Sequence, residues 1–414
     1  MKVRTKSLFY SLIISFLLFQ TCFTQLKYMD EIVTIISFAY LFITSIKQKK
    51  DNKFLEIIFL MGIMIILGLL GNFIYKIQTN KMAILLDIES MFKCFICFIA
   101  FYRLFERSKY EDKKSIIEYL TNICKITVFV GFVLAIINVF YDIGMYTDVS
   151  YGLRSFHFIF GRVGNLNNFC VRSLLIFTLA LYLNNEETKN KKTNKSTIII
   201  FIIMNLFLMI STLRTRAFAS AILYFFFFFF FVKGKRIKIK LRYIIPIILV
   251  LLYIALPKIN YFYNNTTRAR NVLLTYGIQT AKNYYPIGAG FASYGTSSAQ
   301  DYDSSLHKKY NFDSYYGLST DDGFFLTDNY WPAIMGEVGF FGAIIMLIIL
   351  IKIFKLIINE TKNNNIKRFG SIFVFVTLLI SSLVSSSFFN SMAISAMILI
   401  SLALNMKEDI KRLN

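Results

Sequence analysis

Apolar runs of membrane-crossing length recur from one end of the chain to the other. They cover residues 7–26, 30–46, 54–75, 82–102, 121–141, 165–184, 196–213, 217–232, 243–257, 331–351, 369–388 and 390–406. A hydrocarbon core about 30 Å thick takes about 20 apolar residues in helical form. A backbone in lipid must also satisfy its own hydrogen bonds, so each run predicts a helix. The connections between runs are short and polar, except for the 73-residue stretch 258–330. The pattern predicts an all-α, polytopic integral membrane protein of about twelve transmembrane helices, one membrane domain spanning 1–414, with one large loop containing short helices. Within that loop, Arg270–Asn283 has the amphipathic spacing of an interfacial helix. Pro257 and Pro332 bracket the loop, and Pro246 is expected to kink its helix.

Charge orients this pattern. A net charge of +22 first suggests nucleic acid, but its placement argues otherwise. With the N-terminus in the cytoplasm and strict alternation, the cytoplasmic parts hold 30 Lys and Arg and the outer loops 13. That is the positive-inside distribution. It puts both termini in the cytoplasm and 258–330 on the other face. The run Lys233–Arg242 is then an anchor to anionic membrane lipid, not a nucleic-acid patch. The first run follows Lys2, Arg4 and Lys6 as a signal peptide would, but it lacks a small-x-small cleavage site and is read as a retained helix. Cys22, Cys94, Cys97, Cys124 and Cys170 all lie in or beside apolar runs. The Cys94–Cys97 pair reads as two small apolar residues one turn apart. No cysteine, and so no disulfide, falls in the long loop. Phe225–Phe231 reads as lipid-facing bulk.

Candidate chemistry gathers on the outer face. Arg214 and Arg216 sit in a six-residue connection at the membrane edge, and Arg154, Arg162, Arg268 and Arg270 share that side. The planar, permanently charged guanidinium matches phosphate oxygens, so the cluster predicts a grip on the pyrophosphate of a lipid carrier. The plainer reading of each is an interfacial arginine on lipid headgroups. His307, in SSLHKKY, is a candidate base for a sugar hydroxyl or a solvated loop histidine. Asp321, Asp322 and Asp328 can orient a hydroxyl, cap the following helix or be solvated, with capping the best fit for Asp328. Glu337, one to two turns inside its helix, is a functional candidate or the structural partner of an arginine. The other charges read inside apolar runs are Lys93, Lys125 and Arg172. Gly288-Ala289-Gly290, after Pro286, is a tight turn and not a dinucleotide fingerprint. With two histidines far apart in sequence, no metal or other cofactor is expected, although Asp321–Asp322 leaves a divalent ion open. The long loop balances 6 Lys and Arg with 6 Asp and is rich in Tyr, Ser, Asn and Gly. That composition suits sugars and also any solvated loop; residues 295–318 read as its substrate-facing part.

Four stretches resemble motifs of the O-antigen and capsule polymerases of the Wzy type and, more broadly, the O-antigen ligase superfamily. They are Arg214-Thr-Arg216-Ala-Phe-Ala-Ser220, Arg270 through Pro286-Ile-Gly288-Ala-Gly290-Phe291-Ala-Ser-Tyr294, Asp328 through Trp331 and Glu337 to Gly342, and Arg162-Val-Gly164-Asn-Leu-Asn167-Asn168. Thr215 stands where the family pattern has serine, and Asn167-Asn168 where it has Pro-Asn. The resemblance implies a bacterial cytoplasmic-membrane enzyme, a glycosyltransferase that joins undecaprenyl-pyrophosphate-linked oligosaccharide repeats. An acceptor hydroxyl would attack the anomeric carbon and undecaprenyl pyrophosphate would leave. The resemblance implies Arg214, Arg216, Arg268 and Arg270 on the pyrophosphate, His307 as base, Asp328 and Glu337 positioning or stabilising, and a chain-length regulator and a flippase as candidate partners. Two other readings stand beside it: a ligase-type glycan transferase, and a twelve-helix transporter or flippase.

Overall fold

A computed structural model describes residues 5–47, 53–150, 152–187, 195–228, 256, 268–318 and 329–406. Its long helices are α1 (Thr5–Leu18), α2 (Met29–Lys47), α3 (Leu55–Tyr75), α4 (Lys81–Arg107), α5 (Tyr110–Phe140), α6 (Val163–Glu187), α7 (Lys195–Ser211) and α8 (Thr215–Phe228). Beyond them come α9 (Ala269–Asn283), the short α10 (Ser297–Asp301) and α11 (Ser305–Lys309), then α12 (Trp331–Glu360), α13 (Asn365–Ser382) and α14 (Ser391–Leu404). A two-stranded antiparallel hairpin, β1 (Tyr146–Ser150) and β2 (Leu153–Phe156), precedes α6. Among the described residues, five helices are long and apolar enough to cross a membrane: α3, α5, α6, α12 and α13. The described residues are predominantly helical, and these apolar helices fit a membrane protein. The predicted segment 243–257 lies outside the described residues apart from Leu256.

Polarity decides which helices are central. The most apolar 18-residue window of α6 is 94% buried inside the protein, against 33% for α3 and 28% for α5. The reason is written along α6, where Asn167, Asn168, Arg172, Ser173 and Thr178 recur at helical spacing. In lipid such side chains must face protein. Helices α5, α7, α13 and α14 supply that protein. By contrast α3 exposes Ile58, Phe59, Ile66 and Phe73, and α5 exposes Ile126, Phe129 and Phe140. Such broad apolar faces on long helices suit acyl chains. Helix α2 also faces outward along Ile32, Ile35, Ile36 and Phe38. Its polar face meets α4, where Lys93 Nζ lies 2.6 Å from Asp30 Oδ2 and Gln20 Nε2 donates to Asp30 Oδ1 at 2.6 Å.

The two ends of the bundle differ. At one, Lys113 Nζ donates to the Asn405 carbonyl at 2.6 Å, the Asn405 amide donates to the Tyr102 carbonyl, and Lys53 lies 3.3 Å from both Glu106 and Glu360. At the other, the segment 268–318 packs on the ends of α3, α4 and α12. It is folded, not an open loop. Val272, Leu273, Ala289, Tyr294, Leu306, Tyr310, Phe312 and Leu318 form a second core. The amphipathic stretch predicted from Arg270 is helical, but its inward face packs on α12 and not on lipid: a Cβ at Gly277 would lie 2.9 Å from Pro332 Cβ. Residues 295–318, read as substrate-facing, bury Ser298, Ala299, Leu306, Tyr310 and Phe312. The predicted run 369–388 also breaks early. Helix α13 stops at Ser382, and the serine-rich turn 383–390 intervenes before α14.

Candidate functional site

The connection 383–390 and the starts of α6 and α8 line a half-open polar cavity of about 360 Å³. Its wall carries Arg162, Asn165, Asn168, Arg172, Arg216 and Asn390, with hydroxyls from Ser381, Ser385, Ser386, Ser387 and Ser391, and no Asp or Glu among the described residues. Arg216 is the joint of this wall. Helix α8 starts at Thr215, so Arg216 stands in its first turn with its side chain half-buried. Its Nη2 donates to Asn168 Oδ1 at 3.3 Å and its Nη1 to Ser385 Oγ at 3.5 Å. Ser385 in turn donates to the Ser381 carbonyl, which leaves its lone pairs for the guanidinium. Three elements thus converge on one cation.

Arg172 lies one helical turn beyond Asn168 and is buried. Its Nε donates to the Asn168 carbonyl at 3.0 Å, and its Nη1 to Ser395 Oγ at 2.6 Å and the Leu17 carbonyl at 3.3 Å. Nη2 reaches the Leu18 carbonyl. The Leu17 and Leu18 carbonyls belong to the last turn of α1, where a helix has no internal donors left. These partners satisfy the N–H groups but carry no formal negative charge. A cavity lined by three guanidinium groups, with neutral amides and hydroxyls between them, favours an anionic ligand with several acceptor oxygens.

Of the remaining sequence candidates, only Arg162 reaches the cavity among the described residues. Arg214 is exposed just before α8, and its carbonyl accepts from Ala217 and Phe218. Arg162 is exposed at the cavity. Arg154 stacks over the Tyr146 ring at 5.7 Å on the hairpin. Arg268 is the N-cap residue of α9 and Arg270 stands in its first turn; neither lines the cavity. Asp328, Asp321 and Asp322 lie outside the described residues. The cap predicted for Asp328 falls instead on Tyr330, which has no side-chain capping bond. Among the described residues, no group of three or more His, Cys, Asp or Glu is arranged to hold a metal.

Among the described residues, no arginine lies beside Glu337. It is fully buried, with Oε1 accepting from the Tyr294 N–H at 3.1 Å and the Thr296 hydroxyl at 3.0 Å, and the Asp87 carboxyl of α4 lies against it. Asp87 is a residue that the sequence pattern did not single out. Its signal was a carboxylate inside the run 82–102, between one and two turns into the helix. Asn72 of α3 completes this cluster: its Oδ1 accepts from the Phe291 N–H at 2.7 Å and its Nδ2 donates to the Phe291 carbonyl at 2.9 Å.

His307 lies on α11 against the Phe312 ring, with Nε2 at 2.5 Å from the Tyr294 carbonyl. A carbonyl can only accept, so Nε2 carries the hydrogen and Nδ1 is left as the basic nitrogen. Burial holds the imidazole below the ordinary histidine range, with the Tyr294 carbonyl, Asp313 and Asp303 opposing. The folded loop therefore binds its histidine proton less tightly than the unfolded chain does. Stability contributed by neutral His307 is present above its ordinary pKa of about 6.5 and is lost as pH falls below it. Amide-exchange protection of 294–310 is expected to decline on the acid side in the wild type. His307→Gln, whose side-chain amide can donate to the same carbonyl, should remove that decline. An unchanged acid-side loss in the variant would assign it to another group.

The sequence matches no family model and no curated protein.

Proposed function

We propose that this protein is a membrane glycan polymerase that joins oligosaccharide repeats carried on a lipid pyrophosphate, at the outer face of a bacterial cytoplasmic membrane. One observation supports the reading most: the arginine-lined, serine-walled cavity that joins Arg162, Arg172 and Arg216 at one end of the helical bundle. A pyrophosphate leaving group gains negative charge as the glycosidic bond breaks. Fixed cations and hydroxyl donors around it lower that barrier without rearranging. The proposal places Arg216 and Arg162 on the pyrophosphate with Asn168 and Ser385 holding Arg216, and makes Arg172 a fixed positive charge behind them. Arg214, Arg268 and Arg270 are assigned to the approach of the anionic carrier, not to the cavity itself. Undecaprenyl pyrophosphate is the carrier implied by the resemblance of the arginine and glycine motifs. Glu337 is a positioning residue for the segment 286–296. His307 stays a candidate base only through Nδ1. Loss of at least about 100-fold in His307→Gln would place it in the proton transfer, while near-normal extension would leave it structural.

The test is reconstitution of the full chain in proteoliposomes with lipid-pyrophosphate-linked repeats and no nucleotide sugar. A ladder of longer lipid-linked glycans is the expected product. Transfer to a different acceptor without a ladder would make it a ligase-type transferase. Movement of the lipid across the bilayer without any new glycosidic bond would make it a transporter.

A further inference from the structure

Asp87 and Glu337 come from different helices and meet where neither has any solvent exposure. Each uses one oxygen to hold the segment that follows Pro286. Asp87 Oδ2 accepts from the Ala292 N–H at 2.7 Å, and Glu337 Oε1 accepts from the Tyr294 N–H and the Thr296 hydroxyl. The other two oxygens, Asp87 Oδ1 and Glu337 Oε2, are buried without a donor, although the two side chains are within hydrogen-bonding reach of each other. Two ionised carboxylates in contact would repel strongly in so dry a site. No cation relieves them among the described residues. The facing groups are the neutral donors of 292–296, the Asn72 amide from α3, which is engaged with Phe291 and the Gln78 carbonyl, and beyond them His307, which donates to the Tyr294 carbonyl.

We propose that Asp87 and Glu337 bind a single proton between them, and that this proton latches the segment 286–307 onto α3, α4 and α12. A proton between Oδ1 and Oε2 gives both orphaned oxygens a partner and leaves one negative charge, spread over a pair that accepts three donors. The latch acts on the segment directly, because the carboxyl groups that share the proton are the ones that grip its N–H groups. The same segment is held on its other side by backbone contacts, Ala289 N–H to the Gly336 carbonyl and Gly290 N–H to the Glu337 carbonyl, both at 2.9 Å. When the segment lifts, both carboxyls reach water and ionise. The seated state therefore holds one more proton than the lifted one, so rising pH favours lifting. His307 is neutral on that side and adds no slope there. The inference is independent of what the arginine-lined cavity binds.

Hydrogen exchange on the full-length protein in nanodiscs, with infrared spectra of the same samples, tests this. Asp87→Asn keeps the bond without the proton: its amide donates to Glu337 and its oxygen still accepts from Ala292. Between about pH 6 and about pH 9, wild-type protection of 286–307, corrected for intrinsic exchange, should fall by about 10-fold or more, while Asp87→Asn stays within about twofold. Asp87→Ala should leave the segment unprotected throughout. The carboxylic-acid C=O band of the wild type should be missing in Asp87→Asn, and also in Glu337→Gln, which serves if the first variant does not fold. The same pH profile in wild type and Asp87→Asn, or an acid band of equal size in all three proteins, would overturn the proposal.

Discussion

Arg216→Ala is expected to lower glycan extension by at least about 100-fold, the scale of removing one preorganised donor to a developing oxyanion, while leaving the protein folded in the membrane. The guanidinium is half-buried, and its visible partners, Asn168 and Ser385, are neutral and can turn to water filling the vacated cavity. Arg216→Lys should recover little, because a single ammonium cannot span Asn168 and Ser385 and still present a fork to phosphate oxygens. The measurement is extension rate from a lipid-pyrophosphate-linked repeat, with thermal unfolding in detergent as the control. An Arg216→Ala protein that extends chains at the wild-type rate would remove Arg216 from the site.

The largest structural effect is expected at Gly339. Helix α12 is interrupted there, with φ +71° and ψ −177°, a backbone region that only glycine occupies readily. A Cβ at this point would stand 2.4 Å from the Pro286 carbonyl oxygen and 2.7 Å from the Gly288 nitrogen. Gly288 is placed reciprocally, with φ +80° and a Cβ position 2.4 Å from the Gly339 nitrogen. Two backbones touch here, so no side chain can rotate away. Strain of about 1–3 kcal/mol and overpacking of about 1–3 kcal/mol should together unseat the turn 286–290 and with it the Asp87–Glu337 cluster. Gly339→Ala should unfold at markedly lower temperature or denaturant than wild type. Gly62→Ala is the control, since nothing lies within 4 Å of its Cβ position. Equal stability of the two variants would contradict this account of the α12 break.

The helices were legible in the sequence because lipid imposes one rule on every crossing segment, and runs such as 54–75 and 331–351 obey it along their whole length. Their ends were less so. The run 369–388 reads as one apolar helix, yet Ser385, Ser386 and Ser387 leave the helix and become cavity wall. A hydroxyl run in an apolar background was the available sign. Arg216 and Arg162 stood out because they oppose the charge trend, and both line the cavity. Arg268 and Arg270 stood out equally and do not, since sequence proximity to a motif says nothing of the direction in which a helix start points. Arg172 was visible as an embedded charge, but its role depends on the carbonyl ends of α1, more than 150 positions away in sequence. The Asp87–Glu337 pairing joins α4 to α12 and could not be read from either helix alone.

The central claim, that the arginine-lined cavity holds the diphosphate head of a lipid carrier, is tested most directly by native mass spectrometry of the protein released from nanodiscs containing undecaprenyl pyrophosphate and undecaprenol. Wild type should retain the diphosphate lipid in preference to the alcohol, and Arg216→Ala and Arg162→Ala should lose that preference while Arg154→Ala keeps it. Equal retention of both lipids by the wild type, or an undiminished diphosphate preference in both cavity variants, would contradict it.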